Sequence, residues 1–204
     1  MTSLADLVAR ATRLGADGRR VILGITGPPG AGKSTLADAI VRTVPTAAAL
    51  VPMDGFHLAD RELDRLGRRD RKGAPDTFDA AGYVHLLRRL TDRADEVVYA
   101  PLFVRKREQA EAGALPIPRE IVLVVTEGSY LLSGGAFAPV RKLLTECWYV
   151  HADPAVRRDR LVARHTRHGR SLEAARRWIE QTDEPNARLI ALSRADADLL
   201  VELP

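Results

Sequence analysis

The sequence predicts an α/β fold in which helices cover both faces of a parallel sheet. Short aliphatic runs of strand length alternate with amphipathic helical patterns along the chain, an order typical of βαβ units. A glycine-rich turn directly follows the first of these runs and opens a helical pattern. The predicted strands and helical patterns are 21–25, 34–44, 47–51, 80–93, 97–100, 121–125, 137–144, 147–151 and 154–168.

Capping residues locate further boundaries near the end of the chain. Asp153 and Pro154 predict a helix start, because aspartate accepts hydrogen bonds from the free N–H groups of a first turn and proline suits the first helical position. Gly169 predicts the end of that helix. A second long helix is expected over about 171–193, and 198–203 is expected to be a last short strand.

Length and patterning predict a single domain, 1–204, that begins with a helix over 1–19. The first residues lack the continuous apolar stretch of a signal peptide, and no apolar run approaches the ~20 residues that span a bilayer. The single cysteine, Cys147, permits no intrachain disulfide. We therefore expect a cytoplasmic protein with no membrane partner. The charged segment 60–76, bracketed by glycines, is a candidate loop or lid.

The positive charge of the chain comes almost entirely from arginine. The formal net charge is +4, and lysine occurs only at positions 33, 72, 106 and 142. The arginine-rich segments are interleaved with acidic residues rather than with the aromatic residues that stack on nucleic-acid bases. This composition favours the handling of phosphate groups, and we expect no nucleic-acid partner.

Residues 27–34 match the phosphate-binding pattern G-x-x-x-x-G-K-[ST] at every fixed position. Glycines let consecutive backbone N–H groups face phosphate oxygens, and the following helix adds the positive end of its dipole. Lys33 is expected to reach the β- and γ-phosphates of a nucleoside triphosphate, and the Ser34 hydroxyl to bind Mg²⁺. The predicted nucleotide-binding residues are Gly27, Pro28, Pro29, Gly30, Ala31, Gly32, Lys33, Ser34 and Thr35.

Two acidic residues follow predicted strands, at the edge of the sheet where open α/β folds bind their ligands. Asp54 comes after 47–51, and Glu127 directly follows the strongly apolar run 121–125 and Thr126. We predict that Asp54 accepts the proton of an attacking hydroxyl; the alternative is a turn aspartate before a glycine. Glu127 is predicted to hold Mg²⁺ through water or to support the phosphate-binding lysine, or else to cap the next helix.

Five motifs, in order along the chain, resemble those of the phosphoribulokinase/uridine kinase family. They are 27–34, Asp54-Gly55-Phe56-His57, 71–79, Ala100-Pro101-Leu102-Phe103 and Glu127-Gly128-Ser129-Tyr130-Leu131-Leu132. Within the family, the chain most resembles bacterial nucleoside/nucleotide kinase-like proteins, sometimes labelled fructose transport system kinases, and type I pantothenate kinases. The resemblance implies a P-loop NTPase fold with a five-stranded parallel sheet. It also implies transfer of the γ-phosphoryl group of ATP, with Mg²⁺, to a small-molecule alcohol, and it leaves a homodimer open.

The same resemblance assigns roles to particular residues. Lys33 and Asp54 would be catalytic, and the segment 55–79 would frame the acceptor pocket. Asp79 would accept hydrogen bonds from substrate hydroxyls, a solvated surface loop being the alternative for this stretch. The implied substrate-binding residues are Asp54, His57, Asp79, Phe103, Arg105, Glu127 and Tyr130.

The segment 155–170 resembles the arginine-bearing lid of the family. Arg160, Arg164 and Arg167 recur at i, i+4 and i+7, so one face of a helix would present three guanidinium groups. Their planar forks suit phosphoryl oxygens and the charge of a transition state. The resemblance implies catalytic roles for Arg160 and Arg164 and a nucleotide contact for Arg164. The alternative is a solvated basic helix that is paired with nearby acidic residues.

The chain departs from pantothenate kinases at Phe103-Val104-Arg105, where they carry a Tyr-Ser-His series, and this disfavours pantothenate as the acceptor. The basic triplet 105–107 favours an acceptor with a carboxylate or phosphate, or else forms a basic patch on the surface. We expect an ATP-dependent kinase that acts on a nucleoside, nucleotide, sugar or pantothenate-like alcohol. The alternative is a P-loop ATPase or a nucleotide-sensing regulatory protein without a small-molecule acceptor.

Overall fold

The computed structural model describes residues 3–45 and 47–202. The strands are β1 Val21–Thr26, β2 Ala48–Pro52, β3 Val97–Val104, β4 Gln109–Pro118, β5 Leu123–Glu127, β6 Glu146–His151 and β7 Leu199–Glu202. The α-helices are α1 Leu4–Leu14, α2 Lys33–Thr43, α3 Asp60–Leu66, α4 Ala80–Asp92, α5 Pro154–Arg167, α6 Leu172–Trp178 and α7 Glu184–Ala191. The outer ends of the predicted 1–19 helix and 198–203 strand lie outside the described residues.

The predicted five-stranded parallel sheet is confirmed, in the order β2-β5-β1-β6-β7. Alternate residues of its central strands belong to two buried clusters, because successive side chains of a strand point to opposite faces. Ile22 and Val124 pack in a cluster with Leu87 of α4, whereas Leu23 and Val125 pack in a cluster with residues of α1 and α2. Helices therefore cover both faces, and every residue of β1 and β5 is buried.

The predicted segment 97–100 is a strand, but it does not belong to the parallel sheet. It begins β3, which pairs antiparallel with β4 in a separate two-stranded sheet. The sequence does not predict β4, because Gly113, Pro116 and Pro118 are residue types that strands disfavour. This hairpin packs against the 3₁₀ turn Met53–Phe56 that follows β2. It therefore brings its own residues to the carboxyl edge of the main sheet.

Two other segments differ from prediction. The loop candidate 60–76 begins with α3, whose capping Gly67 adopts the left-handed conformation. The helical pattern 137–144 forms short 3₁₀ turns at Gly135–Phe137 and Val140–Leu143 instead of an α-helix. Pro139 lies between these turns and cannot donate a backbone hydrogen bond to continue a helix.

The helix starts predicted near the end of the chain are confirmed. Asp153 Oδ1 accepts hydrogen bonds from the backbone N–H of Ala155 at 2.8 Å and of Val156 at 3.3 Å. The predicted helix 171–193 consists of α6, a π-helical turn at 179–183 and α7. Pro185 has no N–H to donate, and the hydrogen-bond ladder widens in the turn before it. Among the described residues, no helix has both the length and the apolar character needed to cross a membrane.

Candidate active site

A cavity of about 610 Å³ lies at the carboxyl edge of the parallel sheet. Its walls are formed by residues that follow β1 and β2, by the last residue of β5, by the β3–β4 turn and by α5–α7. The predicted site residues that line it are Pro29, Lys33, Ser34, Asp54, His57, Phe103, Arg105, Glu127 and Arg164. A smaller cavity shares Lys33, Ser34 and Arg164 with it and is also lined by Gly30, Gly32, Thr35 and Arg160. Most of the predicted site residues therefore meet in one place.

The glycine-rich loop 27–34 connects β1 to α2. Gly27 has a φ of 143°, and a Cβ at this position would lie 2.4 Å from the carbonyl oxygen of Val150 in β6. Backbone conformation and packing both require glycine here. The loop leads directly to the first turn of α2, whose free N–H groups and helix dipole favour an anion.

Lys33, Ser34 and Glu127 lie close together at the base of the cavity. Lys33 Nζ donates a hydrogen bond to the carbonyl oxygen of Pro28 at 3.2 Å, and Ser34 Oγ donates to Glu127 Oε1 at 3.0 Å. Burial lowers the pKa of Lys33 below its ordinary value, against the opposing charges of Glu127 and Asp54. Burial and the negative charge of Asp54 raise the pKa of Glu127 to about 7.

Asp54 lies in the 3₁₀ turn that follows β2, where its carboxylate faces the β3–β4 hairpin. Its Oδ2 accepts a hydrogen bond from Arg105 Nη2 at 2.8 Å. The hairpin approaches closely, since a Cβ on Gly55 would lie 2.3 Å from the carbonyl oxygen of Pro101. Burial raises the pKa of Asp54, but His57, which is protonated in the acid range where Asp54 titrates, and the cations Arg105 and Lys33 outweigh burial and lower the pKa below its ordinary value. Asp54 is therefore ionised at neutral pH.

His57 forms an aromatic wall of the cavity beside Asp54. Its ring stacks on Phe78 with centroids 4.0 Å apart and lies 4.9 Å from the ring of Phe103. Burial lowers the pKa of His57 to about 4, so the imidazole is neutral at neutral pH. Its Nε2 lies 4.0 Å from Asp54 Oδ1, and its buried Nδ1 has no hydrogen-bond partner among the residues that the structure describes.

The arginines of α5 occupy different environments. Arg164 lines both cavities and lies 3.8 Å from Asp183, which also contacts His165 Nε2 at 2.8 Å. Arg160 lines the smaller cavity beside the phosphate loop. Arg167 is exposed and lines neither cavity. The helix thus brings two of the three predicted arginines to the phosphate loop.

Two predicted substrate-binding residues have structural partners instead of lining the cavity. Asp79 caps α4, where its side chain accepts a hydrogen bond from the Gly82 N–H at 2.8 Å. Tyr130 is fully buried, and its hydroxyl donates to the carbonyl oxygen of Gly73 at 2.6 Å. Both assignments rested on motif position alone. Position in a motif does not determine which way a side chain points.

The residues at the base of the cavity fit Mg²⁺. Ser34 and Glu127 offer oxygen atoms, the ligand type that Mg²⁺ prefers, and phosphates and waters usually complete its shell. Within 3–45 and 47–202, no group of three or more acidic, histidine or cysteine side chains forms an all-protein metal cage. Ser34 and Glu127 therefore suit a cation that binds together with a nucleotide.

Sequence reasoning missed three residues that shape the site. Arg157 is buried and donates to the carbonyl oxygen of Pro29 at 2.7 Å and to Glu184 at 3.0 Å. It precedes Arg160 by three positions on the predicted arginine face, so the signal was present in the spacing. Asp183 and Trp178 also line the cavity, through a helical segment whose position relative to the sheet has no sequence signature.

Comparison with known proteins identifies relatives over nearly the full length of the chain, although no protein-family model matches it. "Uncharacterized protein YggC" of Escherichia coli K12 is 30% identical over 195 residues, which cover 91% of this chain and 78% of that protein. "Putative uridine kinase C227.14" of Schizosaccharomyces pombe is 28% identical, over 99% of this chain and 91% of that protein. The crystal structure of a "putative fructose transport system kinase" from Silicibacter sp. TM1040 is 35% identical. It superposes with a TM-score of 0.89 over 98% of this chain and 100% of its own.

Proposed function

Because the chain belongs to the phosphoribulokinase/uridine kinase family of P-loop kinases, we propose that it transfers the γ-phosphoryl group of Mg·ATP to an alcohol of a small molecule. The observation that carries the proposal is the shared cavity. The phosphate loop, Glu127 and an ionised Asp54 line one continuous space that extends to the aromatic wall at His57 and Phe103. A nucleotide-binding protein without an acceptor needs no such extension.

The nucleotide would bind at the phosphate loop. The loop N–H groups and the start of α2 would hold the phosphates, with Lys33 at the β- and γ-phosphates. Ser34 and Glu127 would hold Mg²⁺, which neutralises the charge of the phosphates when it is bound. Arg160 and Arg164, on the segment 155–170, would close over the triphosphate and stabilise the charge that develops on the transferred group.

Asp54 would act as the base. The acceptor hydroxyl oxygen attacks the γ-phosphorus and gives its proton to an oxygen of the Asp54 carboxylate, while the bond from the γ-phosphorus to its bridging oxygen breaks and ADP leaves. The segment 55–79 would frame the acceptor, with contacts from His57 and Phe103. The acceptor class is a nucleoside, nucleotide, sugar or pantothenate-like alcohol.

The test is ADP release from Mg·ATP in the presence of nucleosides, nucleotides, fructose and other sugars, and pantothenate. We expect one acceptor class to stimulate turnover, and Asp54→Asn to lower that turnover by roughly 10²-fold or more while ATP still binds. Asp92→Asn, at an exposed position at the end of α4 and outside the cavity, is the matched control and should keep full activity. Acceptor-independent turnover, or ATP binding without turnover, would instead support an ATPase or a nucleotide sensor.

A further inference from the structure

We propose that the acceptor alcohol carries an anionic group, a carboxylate or a phosphate, and that Arg105 leaves Asp54 to bind it. The proposal rests on the kinase function proposed above and names the class of its acceptor. Arg105 would then be a specificity-determining residue, and its contact with Asp54 would be exchanged for a contact with the substrate.

The first step of the argument is that Arg105 occupies the carboxylate that the reaction needs. Its Nη2 lies 2.8 Å from Asp54 Oδ2, so a guanidinium N–H already uses an oxygen that would accept the proton of the acceptor hydroxyl. A carboxylate paired with a guanidinium is also a weaker base than a free one. Release of Arg105 would therefore free this oxygen and make Asp54 a stronger base.

The second step is that Arg105 is free to move. It follows β3 directly, in the turn that leads to β4, and its side chain is 42% exposed. Apart from Asp54, its described contact is with the ring of Phe103, where its guanidinium carbon lies 5.7 Å from the ring centroid. A rotation of this side chain within the cavity disturbs no buried packing.

The third step concerns what can release Arg105. A neutral alcohol at Asp54 would break the ion pair and leave the guanidinium without an anion. An alcohol with its own carboxylate or phosphate gives Arg105 a new bidentate partner, so an ion pair is kept when Asp54 is freed. Because Arg105 reaches Asp54 directly, the anionic group lies only a few bonds from the reacting hydroxyl.

The surroundings also favour an anion at this position. Lys33, Arg105 and Arg164 all act on Asp54 with positive charge, and Lys72 Nζ lies 5.2 Å from the centroid of the Phe103 ring, which Arg105 also contacts. Lys72 is itself held by Asp60 at 2.7 Å, so Arg105 is the cation of this wall that can exchange partners without breaking a second buried contact. A second negative group beside Asp54 would thus face several cations.

The experiment measures kcat/KM of the intact protein for matched neutral and anionic acceptors. The series are glycerol, glycerate and glycerol 3-phosphate; a nucleoside and its 5′-monophosphate; and pantothenate and its neutral alcohol analogue. We expect kcat/KM to be at least about tenfold higher for the anionic members, as befits the exchange of a partly exposed ion pair. The carboxylate and phosphate members show which anion is used. Arg105→Gln should reduce this preference to within about threefold and raise activity toward neutral alcohols, while Arg105→Lys should keep part of it.

Arg107→Gln is the matched control, since Arg107 lies in the same turn, pairs with Glu111 and does not line the cavity. It should leave the preference unchanged. Equal turnover of neutral and anionic alcohols, or a preference that survives in Arg105→Gln, would overturn the inference and leave the kinase function standing. Failure of every acceptor in all series would contradict the kinase function and the inference with it.

Discussion

Asp54 and Glu127 face the same cavity, yet their surroundings push their pKa values in opposite directions. Asp54 has a guanidinium at 2.8 Å and further cations nearby, which lower its pKa. Burial and the nearby charge of Asp54 raise the pKa of Glu127 to about 7, although the hydrogen bond from Ser34 acts in the opposite direction. Pairs of acids whose pKa values are driven apart are typical of sites that divide two roles. This difference supports the two roles that we propose, a base for Asp54 and a cation-binding group for Glu127.

Glu127 should make stability depend on pH. Its folded pKa of about 7 lies above the ordinary value of 4.5, so its contribution to stability is present below pH 4.5 and is lost as pH rises through 7. Glu127→Gln removes this loss. We expect the free energy of unfolding of Glu127→Gln, relative to the natural chain, to increase by about 1–3 kcal/mol from pH 5 to pH 8.

Chemical denaturation at the two pH values measures this difference. Glu120→Gln is the control, because Glu120 is exposed and lies outside the cavity. Glu127→Gln should also lose kinase activity, since an amide cannot supply a carboxylate for Mg²⁺. If the difference in free energy of unfolding between Glu127→Gln and the natural chain is the same at pH 5 and pH 8, then Glu127 is ionised in the folded protein over this whole range.

At the scale of elements, α5 links the phosphate loop to α7. Arg157 makes this link, with its side chain 6% exposed between the carbonyl oxygen of Pro29 and the carboxylate of Glu184. Arg164, two turns further along the helix, lines the cavity. One end of α5 therefore anchors the helix to the loop, and the other end presents a cation to the site.

Arg157→Ala should lower the free energy of unfolding by roughly 2–4 kcal/mol, because it removes a buried guanidinium that is paired with the Glu184 carboxylate and leaves the carbonyl oxygen of Pro29 without this donor. Arg158→Ala is the matched control, since Arg158 contacts the same Glu184 at 3.5 Å but is 61% exposed. It should change stability by less than about 0.5 kcal/mol. Thermal or chemical unfolding of both variants measures the difference, and equal losses would refute the anchoring role.

Arg164→Ala should slow turnover by about 10²-fold and weaken ATP binding less, as expected when a cation acts mainly on charge that develops during transfer. Arg167→Ala, one turn further along the same helix and exposed, should be neutral. Steady-state kinetics and an ATP-binding assay on both variants provide the measurement. A loss of stability, with full activity in the folded fraction, would indicate that Arg164 is structural.

At the scale of the whole molecule, the cavity is assembled from parts that are distant in sequence. The phosphate loop and Glu127 come from the parallel sheet, Arg105 comes from the separate hairpin, and Arg164 comes from α5. Neighbouring strands β1 and β5 pair in parallel register, with Ile25 opposite Glu127. That register places Glu127 beside the start of the phosphate loop, which is why one carboxylate meets Ser34.

Much of this architecture could be predicted from the sequence. The alternation of apolar runs and helical patterns predicts a parallel sheet, because strands buried on both faces must be apolar throughout. The loop 27–34 is predicted by spacing, since phosphate binding needs glycines and a lysine at fixed positions. The hairpin could not be predicted in this way, since β4 combines prolines, a glycine and exposed residues that resemble a loop.

Local periodicity and motif spacing are enough to predict the fold class, the phosphate loop and the candidate carboxylates. Which side chains share the cavity depends instead on contacts between distant segments. Arg105 pairs with Asp54 across 51 positions, Asp79 caps a helix and Tyr130 lies in the core. Side-chain direction and long-range contacts depend on how the hairpin and α5–α7 pack against the sheet edge, and no local pattern encodes that packing.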